Sequence, residues 1–216
     1  MTISTRREHA TEIFQRLEPL YADLTTGLTF STPLELLVAT ILSAQCTDER
    51  VNKVTQGPHG LFAKYRSCED YLKVPESELA ADIRPTGFFN QKTKSIRGAC
   101  GRIVEQYGGE VPRTMEELLT LPGVARKTAN IVLGNSYDVV EGIAVDTHVQ
   151  RLSQRLGLTT QSTPEKIEAD LIELTDSEMW GRVSDLLIWH GRRVCGARSP
   201  ACGLCVLADI CPSAFS

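Results

Sequence analysis

The sequence predicts an all-α protein, because helix-start signatures recur along it and the period-two alternation of a half-buried strand is scarce. These signatures stand at Thr32-Pro33, Thr114 and Thr163-Pro164, where an N-cap threonine precedes a first-turn proline or a glutamate three residues on. The apolar residues behind the first signature recur at the spacing that places side chains on one face of a helix: Leu34, Leu37, Val38, Ile41 and Leu42. We therefore expect helices with core-facing stripes.

Further helices follow in the C-terminal half. Val149, Leu152 and Leu156 share a helix face, and Gly157 is placed to end that helix. Two later stripes have the same helical spacing: Ile167, Leu171 and Leu174, then Val183, Leu186, Leu187 and His190 before Gly191. The turn-like residues 136–142 mark a soft boundary, and 216 residues are enough for two small domains or one large one.

Charge is segregated along a chain whose net charge is −4. Residues 83–104 carry five cations and no acid, and residues 182–200 carry four arginines against Asp185 alone. Each run could be a solvated helix face, but two of them on an acidic protein also fit local basic patches for a nucleic acid. An acidic run at residues 165–178 suggests no function.

No targeting or membrane segment is expected. The first 17 residues lack the apolar core of a signal peptide, and no window approaches the roughly 18 apolar residues of a transmembrane helix. We therefore expect a cytoplasmic protein with no membrane partner, in a compartment where thiols stay reduced.

Four of the seven cysteines lie within 17 residues, in the pattern C-x6-C-x2-C-x5-C followed by Pro212. They are Cys195, Cys202, Cys205 and Cys211. Four soft thiolates can hold a zinc ion or an iron–sulfur cluster. One compact loop ending in Cys-Pro is closer to the ferredoxin pattern than to the paired ligands of a zinc finger. The spacing favours the cluster, while zinc and simple unpaired thiols stay open as alternatives.

The stretch LPGVARKTAN, residues 121–130, places a proline-glycine turn directly before a helix. Backbone N–H groups at a helix start bind anions, and a helix-hairpin-helix holds a DNA phosphodiester in this way without recognising bases. The helix dipole is positive at this end. The two cations Arg126 and Lys127 are therefore badly placed unless an anion docks there or one of them loses its proton.

Lys127 and Asp146 are the candidate catalytic residues. A partly desolvated lysine at a helix start has its ammonium form disfavoured, and a neutral amine can attack a sugar C1′ to give a Schiff base. The alternative is a solvated lysine. Asp146 follows the apolar run 143–145 and precedes a helix. It can serve as an N-cap alone, or it can stabilise an oxocarbenium-like sugar and assist proton transfer.

Together these features resemble the endonuclease III family of DNA repair glycosylases. The resemblance covers almost the whole chain and rests on LSAQCTD (42–48), LPGVARKTAN, AVDTH (144–148), LLIWHGRRVC (186–195) and the cysteine spacing. It implies two all-α domains flanking a DNA-binding cleft. One is a six-helix domain with the helix-hairpin-helix, residues 25–139. The other holds a four-iron four-sulfur cluster and combines residues 1–24 with residues 140–216.

The resemblance further implies a bifunctional DNA glycosylase and AP lyase of base excision repair. It would act as a monomer on duplex DNA that contains an oxidised or ring-saturated pyrimidine or an abasic site. Lys127 would attack C1′ and lead to β-elimination, with Asp146 as its partner. Gln45 matches the residue that fills the gap left by the flipped base, and Phe88 matches the wedge on the opposite strand. The remaining expected DNA contacts are Lys92, Leu121, Gly123, Ala125, Arg126, His148 and Arg193.

Two departures from the family pattern and two rival functions stay open. The family usually has glycine at the position of Ala125 and leucine at that of Phe88, so we expect altered DNA affinity and opposite-base preference. One rival is a monofunctional mismatch or adenine glycosylase of the same superfamily, which typically lacks lysine at the position of Lys127. The other is a non-catalytic DNA-binding module, against which the pairing of Lys127 with Asp146 argues.

Overall fold

The structure is a computed structural model that describes residues 3–22 and 26–215, and in these two ranges the chain forms helices and turns without a β-strand. The all-α prediction is confirmed. The α-helices are α1 (Ile3–Tyr21), α2 (Pro33–Leu42), α3 (Asp48–Thr55), α4 (Leu61–Lys64), α5 (Cys68–Lys73), α6 (Glu76–Asp82), α7 (Phe89–Tyr107), α8 (Met115–Leu119), α9 (Arg126–Tyr137), α10 (Thr147–Arg155), α11 (Pro164–Leu174) and α12 (Trp180–Arg193). Short 3-10 turns lie at Arg84–Thr86, Ser177–Met179 and Cys202–Leu204. In the described ranges no helix has the length and apolar character needed to span a membrane.

The helix-start signatures mostly act as the caps that they predict. The hydroxyl of Thr32 accepts the backbone N–H of Glu35 at 3.2 Å, and that of Thr114 accepts the N–H of Glu117 at 3.3 Å. Thr163 occupies the N-cap position of α11, but its side chain makes no capping bond. The proline that follows it, with its fixed φ, is therefore what marks this start.

Residues Thr26–Val139 form one compact unit, called the hairpin unit below. It contains α2 to α9; α7 packs against α2, α5 and α6, and α9 packs against α2 and α8. Burying a large apolar side chain stabilises the fold by about 1.5–3 kcal/mol. The exposed turns of this unit therefore project from a firmly packed base, whose buried side chains include Leu36, Leu37, Ile96, Ile103 and Leu118.

Residues Met1–Thr25 and Val140–Ser216 form the second compact unit, called the cysteine unit below. In its described part α1, α10, α11 and α12 pack around an apolar core that includes Ile13, Leu17, Leu152, Leu171 and Leu187. After α12 the chain continues as a loop that carries the four clustered cysteines. Leu207, in that loop, is fully buried in the same core, so the loop is anchored to the helices.

The acidic run at residues 165–178 has a partly structural role. Glu168 is buried, and its carboxylate accepts the backbone N–H of Ile143 at 3.2 Å. Asp170 accepts the hydroxyl proton of Thr159 and lies 3.8 Å from the guanidinium of Arg6. These acids therefore attach α11 to its neighbours, which the composition of the run did not indicate.

Candidate nucleic-acid interface and cysteine loop

The turn between α8 and α9 is shaped by one glycine. Gly123 has φ +79°, a left-handed conformation that favours glycine, and a Cβ added there would lie 2.5 Å from the Cβ of Ser95 on α7. Further along α7, a Cβ added to Gly98 would lie 3.0 Å from the Cβ of Pro122. The turn is therefore seated directly on α7, and glycine is the residue that fits at position 123.

Leu121 anchors this turn. Its side chain is buried, and its N–H donates to the carbonyl of Leu118 at 3.1 Å. Its own carbonyl accepts the N–H of Val124, another buried residue, at 3.1 Å. Neither the side chain nor the N–H of Leu121 is therefore available to a phosphate. The structure therefore supports a role for Leu121 in shaping the turn, in place of the DNA contact that was expected. The exposed tip of the turn is Pro122 and Gly123.

Ala125 is the N-cap residue of α9, with φ −94° and ψ 168°. Any L-residue adopts these extended values, so the alanine that replaces the family's usual glycine causes no backbone strain. Ala125 is exposed, and its side chain provides no capping bond to the first turn of this 12-residue helix. A helix start that no side chain caps is suited to an anion.

Arg126 and Lys127 open α9, and both side chains are exposed. Of the two alternatives considered for Lys127, partly desolvated or solvated, this exposure favours a solvated lysine in the protein alone. A DNA strand docked on the hairpin would cover this amine and replace water around it, so any desolvation has to come with the substrate. The two cations form an exposed pair at the helix start that is suited to an anion.

Three exposed residues of the hairpin unit other than glycine have a left-handed backbone, and one of them, Asp138, is the C-cap of α9, where this conformation is common. Gln45, in the turn between α2 and α3, has φ +53°, and Phe88, the N-cap of α7, has φ +49°. Each such conformation costs on the order of 1 kcal/mol, and strain of this kind concentrates at ligand-binding positions. The side chain of Phe88 is also 65% exposed. Both residues therefore have the exposure that insertion into DNA requires.

Lys92, by contrast, does not lie on the surface. Only 4% of it is exposed, and its ammonium donates to the carbonyl oxygens of Leu42 at 2.7 Å and Thr86 at 2.8 Å. The expected phosphate contact of Lys92 is wrong, because a buried ammonium bonded to two carbonyls does not reach a DNA strand. Lys92 shares the buried face of α7 with Ile96 and Ile103. That helical spacing is the sequence signal that could have identified its burial.

Asp146, in the cysteine unit, is the N-cap of α10. Its Oδ1 accepts the backbone N–H groups of His148 at 2.8 Å and of Val149 at 2.9 Å, and the side chain is half-buried. The capping role considered for Asp146 is therefore confirmed. The same two bonds fix the direction of the carboxylate, which a catalytic role would also need.

His148 and Arg193 differ in what surrounds them. The half-buried ring of His148 has its Nδ1 3.2 Å from the guanidinium of Arg151, and a Cβ added to Gly191 would lie 2.9 Å from that nitrogen. The ring is therefore packed within the cysteine unit, as a polar packing residue would be. Arg193 is exposed, with its guanidinium 5.2 Å from the ring centroid of Trp189. An exposed guanidinium steadied by an aromatic ring is suited to a phosphate.

The four cysteines of the C-terminal loop line one cavity: Cys195, Cys202, Cys205 and Cys211. Burial raises the pKa of the Cys205 and Cys211 thiols, and the charges of the neighbouring cysteines raise it further. Across residues 3–22 and 26–215, no three histidine, cysteine, aspartate or glutamate side chains are arranged to hold a single metal ion. The four cysteines nevertheless line one cavity, so the loop brings all of them into one region, as a shared metal centre requires.

Polar groups from near and distant parts of the chain contact these sulfurs. A guanidinium nitrogen of Arg155 donates to Sγ of Cys195 at 3.3 Å, and the N–H of Leu207 donates to Sγ of Cys205 at 3.4 Å. Nε2 of His190 lies 3.3 Å from the sulfur of Cys205. Donors aimed at sulfur stabilise the thiolate form that a metal centre requires. No local sequence signal indicated the contacts of Arg155 and His190, because they join residues 40 and 15 positions apart.

Family models and curated relatives match most of the chain. Residues 38–177 match the model of the HhH-GPD superfamily base excision DNA repair protein, and residues 195–211 match that of the iron-sulfur binding domain of endonuclease III. The chain is 53% identical to Endonuclease III of Synechocystis sp. over 212 residues, and this alignment covers 98% of this chain and 95% of the relative. It is 46% identical to Endonuclease III of Bacillus subtilis over 185 residues, and this alignment covers 85% of this chain and 83% of the relative.

Solved structures match over a similar length. The chain superposes on a non-covalent Endonuclease III–DNA complex with a TM-score of 0.91 and 40% identity, covering 96% of both chains. A trapped covalent Endonuclease III–DNA intermediate matches with the same values. A thermostable thymine-DNA glycosylase matches with a TM-score of 0.79 and 25% identity, covering 97% of both chains. The similarity to the Endonuclease III structures is thus the stronger of the two.

Proposed function

Because the chain belongs to the endonuclease III family, we propose that it excises damaged bases from duplex DNA and cleaves the abasic strand, using Lys127 as the nucleophile. It is a DNA glycosylase and AP lyase of base excision repair. The observation that carries the assignment of Lys127 is an exposed primary amine in the first turn of α9, directly behind the turn that Gly123 shapes. A relative captured as a covalent DNA intermediate supports it.

The reaction begins with the neutral amine of Lys127 attacking C1′ of the damaged nucleotide. As the new C–N bond forms, the bond to the base breaks, and the base leaves with that electron pair and takes up a proton. Opening of the sugar ring gives an imine between C1′ and the lysine nitrogen. Loss of a proton from C2′ then drives cleavage of the C3′–O bond, and the 3′ phosphate leaves by β-elimination. Borohydride can reduce the imine to a permanent amine link.

Asp146 is the proposed proton acceptor in this sequence. Its carboxylate is oriented by the two N–H groups at the start of α10. A fixed carboxylate can take the proton that the attacking amine loses, and its negative charge opposes the positive charge that develops on the sugar. The N-cap therefore supplies the rigidity that makes a carboxylate useful in catalysis.

Residues of both units are proposed to bind DNA. The start of α9 and Arg126 hold one phosphate, and Arg193 holds another. Gln45 fills the gap left by the flipped base and Phe88 wedges the opposite strand, as an exposed aromatic can. The substrates are proposed to be oxidised or ring-saturated pyrimidines, because a damaged base that stacks poorly costs least to swing out. His148 is assigned to packing beside Arg151, with DNA contact as a secondary role.

The cofactor is a four-iron four-sulfur cluster. We propose Cys195, Cys202, Cys205 and Cys211 as its ligands, since all four line one cavity. These four thiolates would hold the cluster, which would link the parts of the C-terminal loop to one another. Arg155 and the N–H of Leu207 orient two of these sulfurs.

The domain bounds proposed are residues 25–139, and residues 1–24 with 140–216. The compact units Thr26–Val139 and Met1–Thr25 with Val140–Ser216 support this division. The enzyme is proposed to act as a monomer on DNA. Sedimentation of the protein with and without a short duplex would test this stoichiometry.

A borohydride trapping experiment tests the function. Incubated with duplex DNA that carries an abasic site, the wild-type protein is expected to form a covalent adduct when borohydride is added. Lys127→Ala should abolish the adduct. Lys166→Ala, which removes another exposed helical lysine, should form it at the wild-type rate. Base release without an adduct would indicate a monofunctional glycosylase instead, and DNA binding with neither would indicate a non-catalytic module.

A further inference from the structure

Lys92 joins two segments that are far apart in the sequence. Leu42 is the last residue of α2 and Thr86 the last residue of the 3-10 turn before α7. Carbonyl groups at such ends have no partner within their own helix. The buried ammonium of Lys92 donates to both carbonyls, at 2.7 and 2.8 Å. One side chain thus crosslinks the end of α2 to the segment that precedes α7.

Each of these two segments leads directly to one of the strained, exposed residues. Gln45 lies three positions after Leu42, and Phe88 lies two positions after Thr86. The backbone N–H of Lys92 also donates to the carbonyl of Phe88, at 3.1 Å. That backbone bond belongs to the helix whatever residue stands at position 92, so the lysine side chain itself adds one bond to the segment before Phe88 and one to the segment before Gln45.

A buried lysine is a costly way to fill space, since burial disfavours its charged form and here lowers its pKa. An apolar side chain of similar size would avoid that cost but would leave the carbonyls of Leu42 and Thr86 without this donor. What the lysine adds over an apolar residue is a fixed distance between two carbonyls. Charge-assisted bonds of this kind are stronger and more directional than neutral ones.

We propose that Lys92 is a positioning residue, which sets the spacing between the turn that carries Gln45 and the turn that carries Phe88, so that both side chains enter the duplex together. This inference rests on the proposed function, because the spacing matters only if Gln45 and Phe88 contact DNA. Lys92 itself touches neither the substrate nor the reacting atoms. Its effect is therefore confined to steps in which a duplex has to be held open.

The role predicts a dependence on the substrate. Excising a base from a duplex requires the gap and the opposite strand to be held, whereas an abasic site in single-stranded DNA has neither a partner base nor a stack to replace. Loss of Lys92 should therefore slow base excision from a duplex and leave strand cleavage at a single-stranded abasic site nearly unchanged. A loss of general stability would slow both reactions together.

The experiment is a mutant cycle measured under single-turnover conditions. The two substrates are a duplex containing an oxidised pyrimidine and a single strand containing an abasic site. Lys92→Met is expected to slow duplex excision about tenfold. In a Gln45→Ala/Phe88→Ala background, Lys92→Met should slow excision by less than about twofold. The reason is that Lys92 acts through Gln45 and Phe88, and the effects of coupled residues are not additive. Lys73→Met, which removes an exposed lysine of α5, is the matched control and should change neither rate.

A second variant keeps the test decisive if Lys92→Met folds poorly. Lys92→Arg retains a charged donor of different reach, so duplex excision should fall by less than in the methionine variant, with single-strand cleavage unchanged. Equal slowing of both substrates, or the same slowing of duplex excision in the Gln45→Ala/Phe88→Ala background, would overturn the positioning role. A wild-type protein that forms no adduct with either substrate would instead contradict the proposed function, and the inference with it.

Discussion

Replacing Asp146 with asparagine separates the two roles that this carboxylate combines. The N-cap role depends on Oδ1, which accepts the N–H groups of His148 and Val149 at 2.8 and 2.9 Å. Asparagine keeps an oxygen at that position and is as good an N-cap as aspartate, so the free energy of unfolding should change by less than about 0.5 kcal/mol. Asp146→Ala loses both bonds and should destabilise the protein by about 1–2 kcal/mol.

The catalytic role makes a different demand. A proton acceptor that becomes a neutral amide loses its function, which typically slows a reaction roughly 10²–10⁴-fold. That corresponds to about 3–5 kcal/mol in the barrier, more than the whole capping contribution. The two roles therefore predict different patterns. If Asp146 is only a cap, asparagine is harmless and alanine harmful, whereas if it is catalytic both variants are severely impaired.

The assay pairs urea unfolding with single-turnover base release from a duplex that carries an oxidised pyrimidine. We expect Asp146→Asn to unfold at nearly the wild-type urea concentration and to release base at least about a hundredfold more slowly. Equilibrium binding to the same duplex should change little, which excludes a binding defect. An asparagine variant that keeps its activity within about twofold of wild type would refute the reasoning, and would leave Asp146 as a cap alone.

Three further predictions concern the turn, the basic surface and a buried acid. Gly123→Ala should lower the free energy of unfolding by about 1–3 kcal/mol and weaken duplex binding, because φ is +79° and the added Cβ would meet Ser95. The control is Gly134→Ala in the following helix, where the added Cβ has open space. This control should leave the free energy of unfolding unchanged or raise it. Arg193→Gln should reduce the slope of log affinity against log salt by about one phosphate contact, and an unchanged slope would show that Arg193 lies outside the interface. Burial raises the pKa of Asp185 to about 6 in the folded protein. As the pH rises, the carboxyl group of Asp185 therefore loses its proton in the unfolded chain before it does so in the folded one, and the free energy of unfolding falls between about pH 4 and pH 6. Asp185→Asn should therefore match wild type in urea unfolding near pH 4 and exceed it by up to about 3 kcal/mol at pH 7.5, and an equal difference at both pH values would contradict this.

The helices were predictable because their signals are local. A capping threonine, a first-turn proline and an apolar stripe act within a few residues, and the starts of α2, α8 and α11 follow them. The cysteine spacing was similarly informative, since it requires one loop to bring four thiols to one cavity. In these cases the sequence neighbourhood contains the whole physical cause.

The errors arose where the cause lies far away in the chain. Lys92 was assigned to the surface from a run of cations, but its partner Leu42 is 50 positions away. The family's usual glycine at the position of Ala125 raised the question of a left-handed backbone there, whereas the residue with that backbone is Gly123, whose space is limited by Ser95 on α7; the altered DNA affinity expected from Ala125 stays a prediction. The exposure of Lys127 likewise follows from how α9 packs, which the motif around it does not specify.

Mapping the borohydride-reduced adduct tests the central claim most directly. After nuclease and trypsin digestion, modification of Lys127 blocks cleavage at that residue. A peptide of residues 127–151, in place of 128–151, is therefore expected, with the reduced sugar remnant on its first residue. An adduct on any other amine, such as the N-terminus or Lys94, with the peptide 128–151 released unmodified, would contradict Lys127 as the nucleophile.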